Sequence, residues 1–121
     1  MQIRIILLVC FCGLISSISR AQEQYNDYAN VKITSNIIDS TGYFNNLKDS
    51  KEKAIGFDKL ATFYFYANSD SALKYLKKAE TLAKKLNLPV LEATNHIFIG
   101  MQYRMMKSNF STSLYYVNMA K

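Results

Sequence analysis

The chain is poor in cysteine, proline, glycine and histidine, and it has no tryptophan. Of its 121 residues, two are Cys, one is Pro, four are Gly and one is His. So few glycines and prolines exclude a collagen-like or low-complexity chain. Cys10 and Cys12 both lie inside one apolar run near the start, which excludes a disulfide scaffold. No second long apolar run follows, which excludes a multi-span membrane protein. What is present is 50% apolar and 20% charged residues, the balance of a single globular domain.

The apolar run has the layout of an export signal. Arg4 makes the start positive, and an unbroken apolar stretch follows from Ile5 to Ile15. Ser19-Arg20-Ala21 then puts small residues at the two positions a signal peptidase reads. The stretch is much shorter than the roughly 20 apolar residues needed to cross a bilayer. Residues 1–21 are therefore expected to be a secretory signal peptide, cut between Ala21 and Gln22; the alternative, for which Arg20 beside the cut speaks, is an uncleaved anchor. Val9 before Cys10 and Phe11 before Cys12 do not suit a lipoprotein signal. The expected location is the periplasm or cell envelope, and the mature chain would carry no thiol. Its Lys and Arg fall from 15 to 13 against 9 Asp and Glu, so the net charge falls from +6 to +4. The lysines alternate with Glu80 and Glu92, which reads as a solvated helix surface and not as a nucleic-acid patch.

The mature chain reads as helix throughout, because no run alternates with turn signals as strands do. Residues 22–49 are expected to be a polar linker over 22–30 and a leading helix over Val31–Leu47. That helix rests on Ile33, Ile37, Phe44 and Leu47, with Thr41-Gly42 as a point of interruption. Residues 50–88 hold a first helix pair. Ala54, Phe57, Leu60, Ala61 and Tyr64 mark one face of its first helix, and Ala72, Leu76, Ala79, Ala83 and Leu86 mark its second. Residues 89–121 hold a second pair, with Val90, Ala93, Ile97 and Gly100 as the stripe of its first helix. Ser113, Leu114, Val117 and Ala120 begin a last helix that stops at Lys121.

The two pairs repeat each other. Leu60-Ala61-x-x-Tyr64 of the first recurs in the second as Ile99-Gly100-x-x-Tyr103. Ala72-Leu73-x-Tyr75-x-x-x-Ala79 recurs as Ser113-Leu114-x-Tyr116-x-x-x-Ala120, at a slightly longer offset. The difference is expected in the intervening turn, where insertion is cheap. The small residues let helices approach closely, and the tyrosines fill the space between them. Leu60, Ala61, Tyr64, Ala72, Ala79, His96, Gly100, Tyr103, Ser113 and Ala120 are accordingly expected to be packing residues. A single pair cannot bury both of its faces, so pairs must stack.

These motifs resemble the tetratricopeptide repeat (TPR) family. Ile99-Gly100-x-x-Tyr103 matches its first-helix pattern, with His96 where the family prefers a bulky aromatic. Leu76 and Val117 stand in place of the second-helix aromatic, and the period exceeds the family's roughly 34 residues. Signal peptide, repeats and lysine-rich second helix together look like the exported N-terminal region of bacterial sensor or regulator proteins, here apparently truncated. The resemblance implies an all-α short solenoid and a non-catalytic protein–protein interaction scaffold. It also implies a concave face lined by Asp58, Thr62, Phe65, Tyr66, Thr94, Ile97, Met101, Arg104 and Met105, facing a protein or peptide partner.

Chemistry of other kinds is not expected. His96 lacks a second histidine, a cysteine or an HExxH pattern, and the acidic residues are spread singly. No cofactor, metal or catalytic residue is expected, nor a nucleic-acid partner, nor a membrane span beyond the signal peptide. Two other roles fit the same residues. One is a structural role, with self-association through an open last-helix face at Leu114, Val117 and Ala120. The other is the regulatory region of an enzyme, such as a histidine kinase, whose catalytic domain lies downstream.

Overall fold

In the computed structural model, which describes residues 2–120, every regular element is an α-helix, and no strand occurs among the described residues. Met1 and Lys121, the two ends of the expected segments, lie outside the described residues. The chain forms two compact units, one ending at Val31 and the other beginning at Lys32.

The first unit is one helix, α1, Gln2–Asn30. It runs unbroken through residues 22–30, where a linker is expected from the sequence. That stretch is polar but holds no glycine or proline, so nothing stops helix propagation. The Gln22 amide even spans one turn to the Asn26 side-chain oxygen, at 3.3 Å. No helix among the described residues is long and apolar enough to cross a membrane.

The second unit holds α2 (Ile37–Asn46), α3 (Lys51–Tyr64), α4 (Ser69–Lys85), α5 (Pro89–Met105) and α6 (Phe110–Met119). The leading helix thus begins at Ile37, well after the expected Val31. Asn36 caps it, accepting a hydrogen bond from the Ile38 N–H at 3.1 Å. The Thr34 N–H donates to the Ser40 hydroxyl at 2.9 Å, so the chain ahead of the cap turns back onto the first turn and does not extend it.

Gly42 does not interrupt α2. It sits exposed in mid-helix, and an added Cβ there would meet nothing. Gly42→Ala is therefore expected to raise stability by about 0.5–1 kcal/mol, through helix propensity and a less flexible unfolded chain. A chemical-denaturation midpoint that falls in this variant would contradict the helical assignment.

Local chemistry sets the other boundaries. Ser50, Asn68 and Asn109 each accept a hydrogen bond from the N–H three positions on, which caps α3, α4 and α6. Asn87 takes the left-handed conformation at φ 54°, and the Leu88 N–H reaches back to the Ala83 carbonyl at 2.9 Å. Those are the marks of a Schellman helix end, and Pro89 then opens α5. The short turns between them make consecutive helices antiparallel. Each packs on the next in order, α2 on α3, α3 on α4, α4 on α5 and α5 on α6.

The core lies along these seams. Phe44, Leu60, Leu76 and Ile99 are the large apolar side chains buried most completely. Ala54, Ala61, Ala72, Ala79 and Ala83 are buried wholly, and they set the close approach of α3 and α4. Gly56 serves the α2–α3 seam, because a Cβ there would fall inside the Phe44 ring. Gly100 serves the α5–α6 seam, where a Cβ would meet Val117 Cγ2 at 3.0 Å and the Ser113 carbonyl at 3.1 Å.

One aromatic arrangement occurs twice. Tyr64 of α3 stacks on Tyr75 of α4 at 5.9 Å and 11°, and Phe57 stacks on the same Tyr75 at 6.1 Å. Tyr103 of α5 stacks on Tyr116 of α6 at 5.9 Å and 7°, and His96 sits 6.2 Å from the same Tyr116. His96 follows Phe57 in the sequence at the offset by which Tyr103 follows Tyr64. The longer offset from Tyr75 to Tyr116 is taken up within a helix and not in the turn. The first helix of the first pair ends at Tyr64, whereas α5 continues past Tyr103 to Met105. The internal repeat read from the sequence is thus a repeat of side-chain geometry. Every one of the expected packing residues is buried or half-buried.

The stripe expected on α5 is rotated. Val90 and Ile97 are largely exposed, and the buried face carries Leu91, Asn95, His96, Ile99, Gly100 and Gln102. Two of these polar side chains, His96 and Gln102, make hydrogen bonds between elements, whereas the Asn95 amide has no hydrogen-bond partner among the described residues. Gln102 donates from Nε2 to the Phe65 carbonyl at 2.7 Å, which ties α5 to the α3–α4 turn.

Candidate functional site

The residues expected on a concave face divide into two groups. Asp58 and Phe65 are buried, with 1% and 6% of their surface exposed, and offer nothing to a partner. Phe65 lies where α3 ends and the chain folds back, its ring edge-on to Phe98 of α5 at 5.8 Å. That makes it part of the joint that Gln102 closes. Thr62, Tyr66, Ile97, Arg104 and Met105 are exposed, while Thr94 and Met101 are half-buried. The two threonine hydroxyls donate to the carbonyl one turn back, Thr62 to Asp58 at 3.1 Å and Thr94 to Val90 at 2.8 Å. The remaining surface is amphipathic, with one cation at Arg104.

His96 is the packing residue its surroundings suggest, buried to 3% exposure between α4 and α6. Its Nε2 meets Glu80 Oε1 of α4 at 2.8 Å. Glu80 also accepts from Lys84 at 3.2 Å, the helix ion pair expected from their spacing of four. The His96 Nδ1 has no hydrogen-bond partner among the described residues. Among those residues no group of three His, Cys, Asp or Glu side chains is placed to hold a metal.

On α6 the expected open face is partly used. Val117 turns toward Gly100, and Ala120 is half-buried. Phe110, Leu114 and Tyr115 are the most open of its apolar side chains, the last two at 62% and 61% exposure, and Val117 and Met119 are also exposed.

The feature that sequence reading missed is a cleft of about 600 Å³ beside α4. Its residues come from the end of α2, the α2–α3 turn, α3 and α4. Lys74, Lys77, Lys78, Thr81, Leu82 and Lys85 follow one face of α4, and Lys53 and Phe57 of α3, Asp49 and Asn45 complete it. The α4 periodicity was a readable signal, but Lys53 arrives only through packing. The cleft is thus lined by five lysines and one aspartate, and Lys53 and Lys85 pair with that aspartate. Lys84, which reads as part of the same series, points elsewhere and pairs with Glu80 and Glu92.

The lysine ammoniums cover the aromatic rings beneath them. Lys78 Nζ lies 5.2 Å from the Phe57 ring and 5.6 Å from the Tyr75 ring, and Lys53 Nζ lies 5.9 Å from Phe57. Lys77 donates to the Tyr103 hydroxyl at 3.2 Å, linking the first pair to the second. Burial, and then repulsion from Lys74 and Lys53, push the Lys78 ammonium below its ordinary pKa.

Asp49 sits at the end of this cleft. Hydrogen bonds from Lys85 (2.5 Å) and Lys53 (3.4 Å) hold its carboxyl below the usual carboxylate range. A depressed folded-state pKa contributes stability above the unfolded value of 3.8, and that contribution is lost as pH falls through the folded value. Asp49→Asn is therefore expected to lower the thermal midpoint at neutral pH and to match the parent protein in strong acid. A midpoint difference that persists unchanged into strong acid would remove the charge from the explanation.

The chain matches no protein-family model, no curated protein and no solved structure.

Proposed function

We propose that the second unit is a short TPR-like solenoid that acts as a non-catalytic protein–protein interaction scaffold, exported to the cell envelope as the N-terminal part of a sensor or regulator. The single observation that supports this most is the repeated aromatic arrangement. The tyrosine pairs Tyr64–Tyr75 and Tyr103–Tyr116 have closely similar spacing and geometry, and a third ring lies at a similar distance in each, stacked at 29° for Phe57 and tilted at 49° for His96. Asn68 and Asn109 cap the second helix of each pair in the same way, at corresponding positions of the two repeats. A structural unit that recurs with its caps is built for stacking, and stacked helix pairs present extended surfaces to partners.

On this reading the partner meets Tyr66, Ile97, Met101, Arg104 and Met105. Met supplies adaptable contacts, while Tyr and Arg supply the anchors that recur at protein interfaces. Photo-crosslinking tests it in cells of the source organism. A photoreactive residue at Tyr66, Ile97 or Met105 is expected to give a discrete protein adduct that the same residue at Lys32 does not give. Equal labelling at all positions would defeat the reading.

The open apolar side chains of α6, Phe110, Leu114 and Tyr115, favour a second reading in which the repeats self-associate. Sedimentation equilibrium separates the two, since self-association predicts an apparent mass that rises with concentration and falls in Leu114→Glu.

A further inference from the structure

The charge in the α4 cleft is not part of the repeat. Packing residues recur between the two pairs, but at the matching positions Lys53 becomes Glu92, Lys74 becomes Tyr115, Lys77 becomes Asn118 and Lys78 becomes Met119. The architecture therefore does not require these lysines. Their crowding also costs stability through like-charge repulsion. Within the cleft Lys78 donates to the Asn45 side-chain oxygen at 3.0 Å, Lys53 to the Leu47 carbonyl at 2.8 Å and Lys77 to the Tyr103 hydroxyl. Those three acceptors are neutral, and Lys53 also reaches the Asp49 carboxylate at 3.4 Å. Asp49 is the sole acidic side chain lining the cleft.

The shape of the charge selects among anions. Lys74 and Lys85 stand three turns apart on one helix face, about 16 Å at the usual rise per residue. An extended peptide covers that distance in about five residues. A single phosphate, which lysines also bind as point charges, would engage only one end of so long a row and gain no bidentate arginine fork. The cleft holds no arginine. Single-stranded nucleic acid would need exposed aromatic faces on which to stack its bases. Phe57 and Tyr75 are buried, with lysine ammoniums above them. An extended run of carboxylates over a partly apolar floor suits flexible lysine point charges best.

We infer that the cleft between α3 and α4 is a binding site for an extended acidic peptide segment, with carboxylates paired along α4 to Lys74, Lys77, Lys78 and Lys85, the last of which also holds Asp49. This surface differs from the candidate partner face of α3 and α5, and the inference stands whether or not the repeats are TPR-like.

The probe is a fluorescein-labelled hexaglutamate, titrated with the full chain and followed by fluorescence anisotropy. It is expected to bind at low salt and to weaken as salt rises. Lys74→Glu with Lys78→Glu is expected to weaken binding by about tenfold or more. Because Lys78 covers buried rings, Lys74→Glu alone serves as the second variant. Its side chain is exposed, so the fold is expected to survive while affinity still drops. Lys32→Glu makes the same charge change away from the cleft and is expected to leave binding unchanged. Three results would overturn the inference: no hexaglutamate binding at low salt, equal losses in Lys32→Glu and Lys74→Glu, or a labelled oligothymidylate of equal charge binding more tightly than the peptide.

Discussion

Phe44→Ala is expected to destabilise the protein by about 3–5 kcal/mol and to release α2 from the rest of the second unit. Phe44 is the large apolar side chain through which α2 is buried, at 1% exposure, and α2 packs chiefly on α3, with Asn45 also bonded to Lys78 of α4. Hydrogen exchange would check the locality, with protection lost over Ile37–Asn46 and retained over α4 and α5. The same seam gives a sharper test through Gly56. Gly56→Ala alone drives a methyl into the Phe44 ring, and such overpacking costs about 1–3 kcal/mol. In the Phe44→Ala background the ring is gone. The added methyl then has room, and alanine's better helix propensity makes the second change neutral or favourable by up to about 1 kcal/mol. The two effects should therefore be strongly non-additive. Simple addition would mean that Phe44 does not sit over Gly56 in solution.

Leu76→Ala is expected to cost about 2–5 kcal/mol, with a different distribution. Leu76 is 1% exposed on α4, the helix that packs on α3 before it and α5 after it. A cavity there loosens both seams, so protection should fall across α3, α4 and α5 together. Guanidine denaturation would give the size of the effect. A loss confined to α4 and α5, with α3 unaffected, would mean that the two pairs hold together less tightly than each pair holds itself.

These two expectations rest on parts of the fold that differ in how readable they were. The α3 and α4 faces follow from periodicity, since Ala54, Phe57, Leu60 and Ala61, then Ala72, Leu76, Ala79 and Ala83, are apolar and buried as spaced. The Asn87 helix end and the twofold aromatic unit were equally legible, because short-range chemistry and a visible repeat determine them. Periodicity misled on α5, where Asn95 and Gln102 are buried while Val90 and Ile97 are exposed. An apolar stripe identifies a buried face only when no polar residue has an interhelical role, and Gln102 has one. Residues 22–30 looked like linker because they are polar, yet polarity does not break a helix when glycine and proline are missing. The lysine cleft was hidden for another reason. Its charge is assembled from two helices and a turn, and no short window along the chain contains Lys53 and Lys85 together.

The paired tyrosines also give the protein an optical property. With no tryptophan in the chain, its near-ultraviolet absorption comes chiefly from nine tyrosines. Four of them are held as two parallel pairs, each with ring centres 5.9 Å apart. Chromophores so close couple their transition dipoles, with circular dichroism arising from any skew of the two ring axes within their planes, and each couplet persists only while its own two helices stay together. Tyr75→Phe silences one couplet and Tyr116→Phe the other. The chain thus carries one intrinsic spectroscopic reporter for each helix pair, and the melting of either can be followed by circular dichroism without attaching a label.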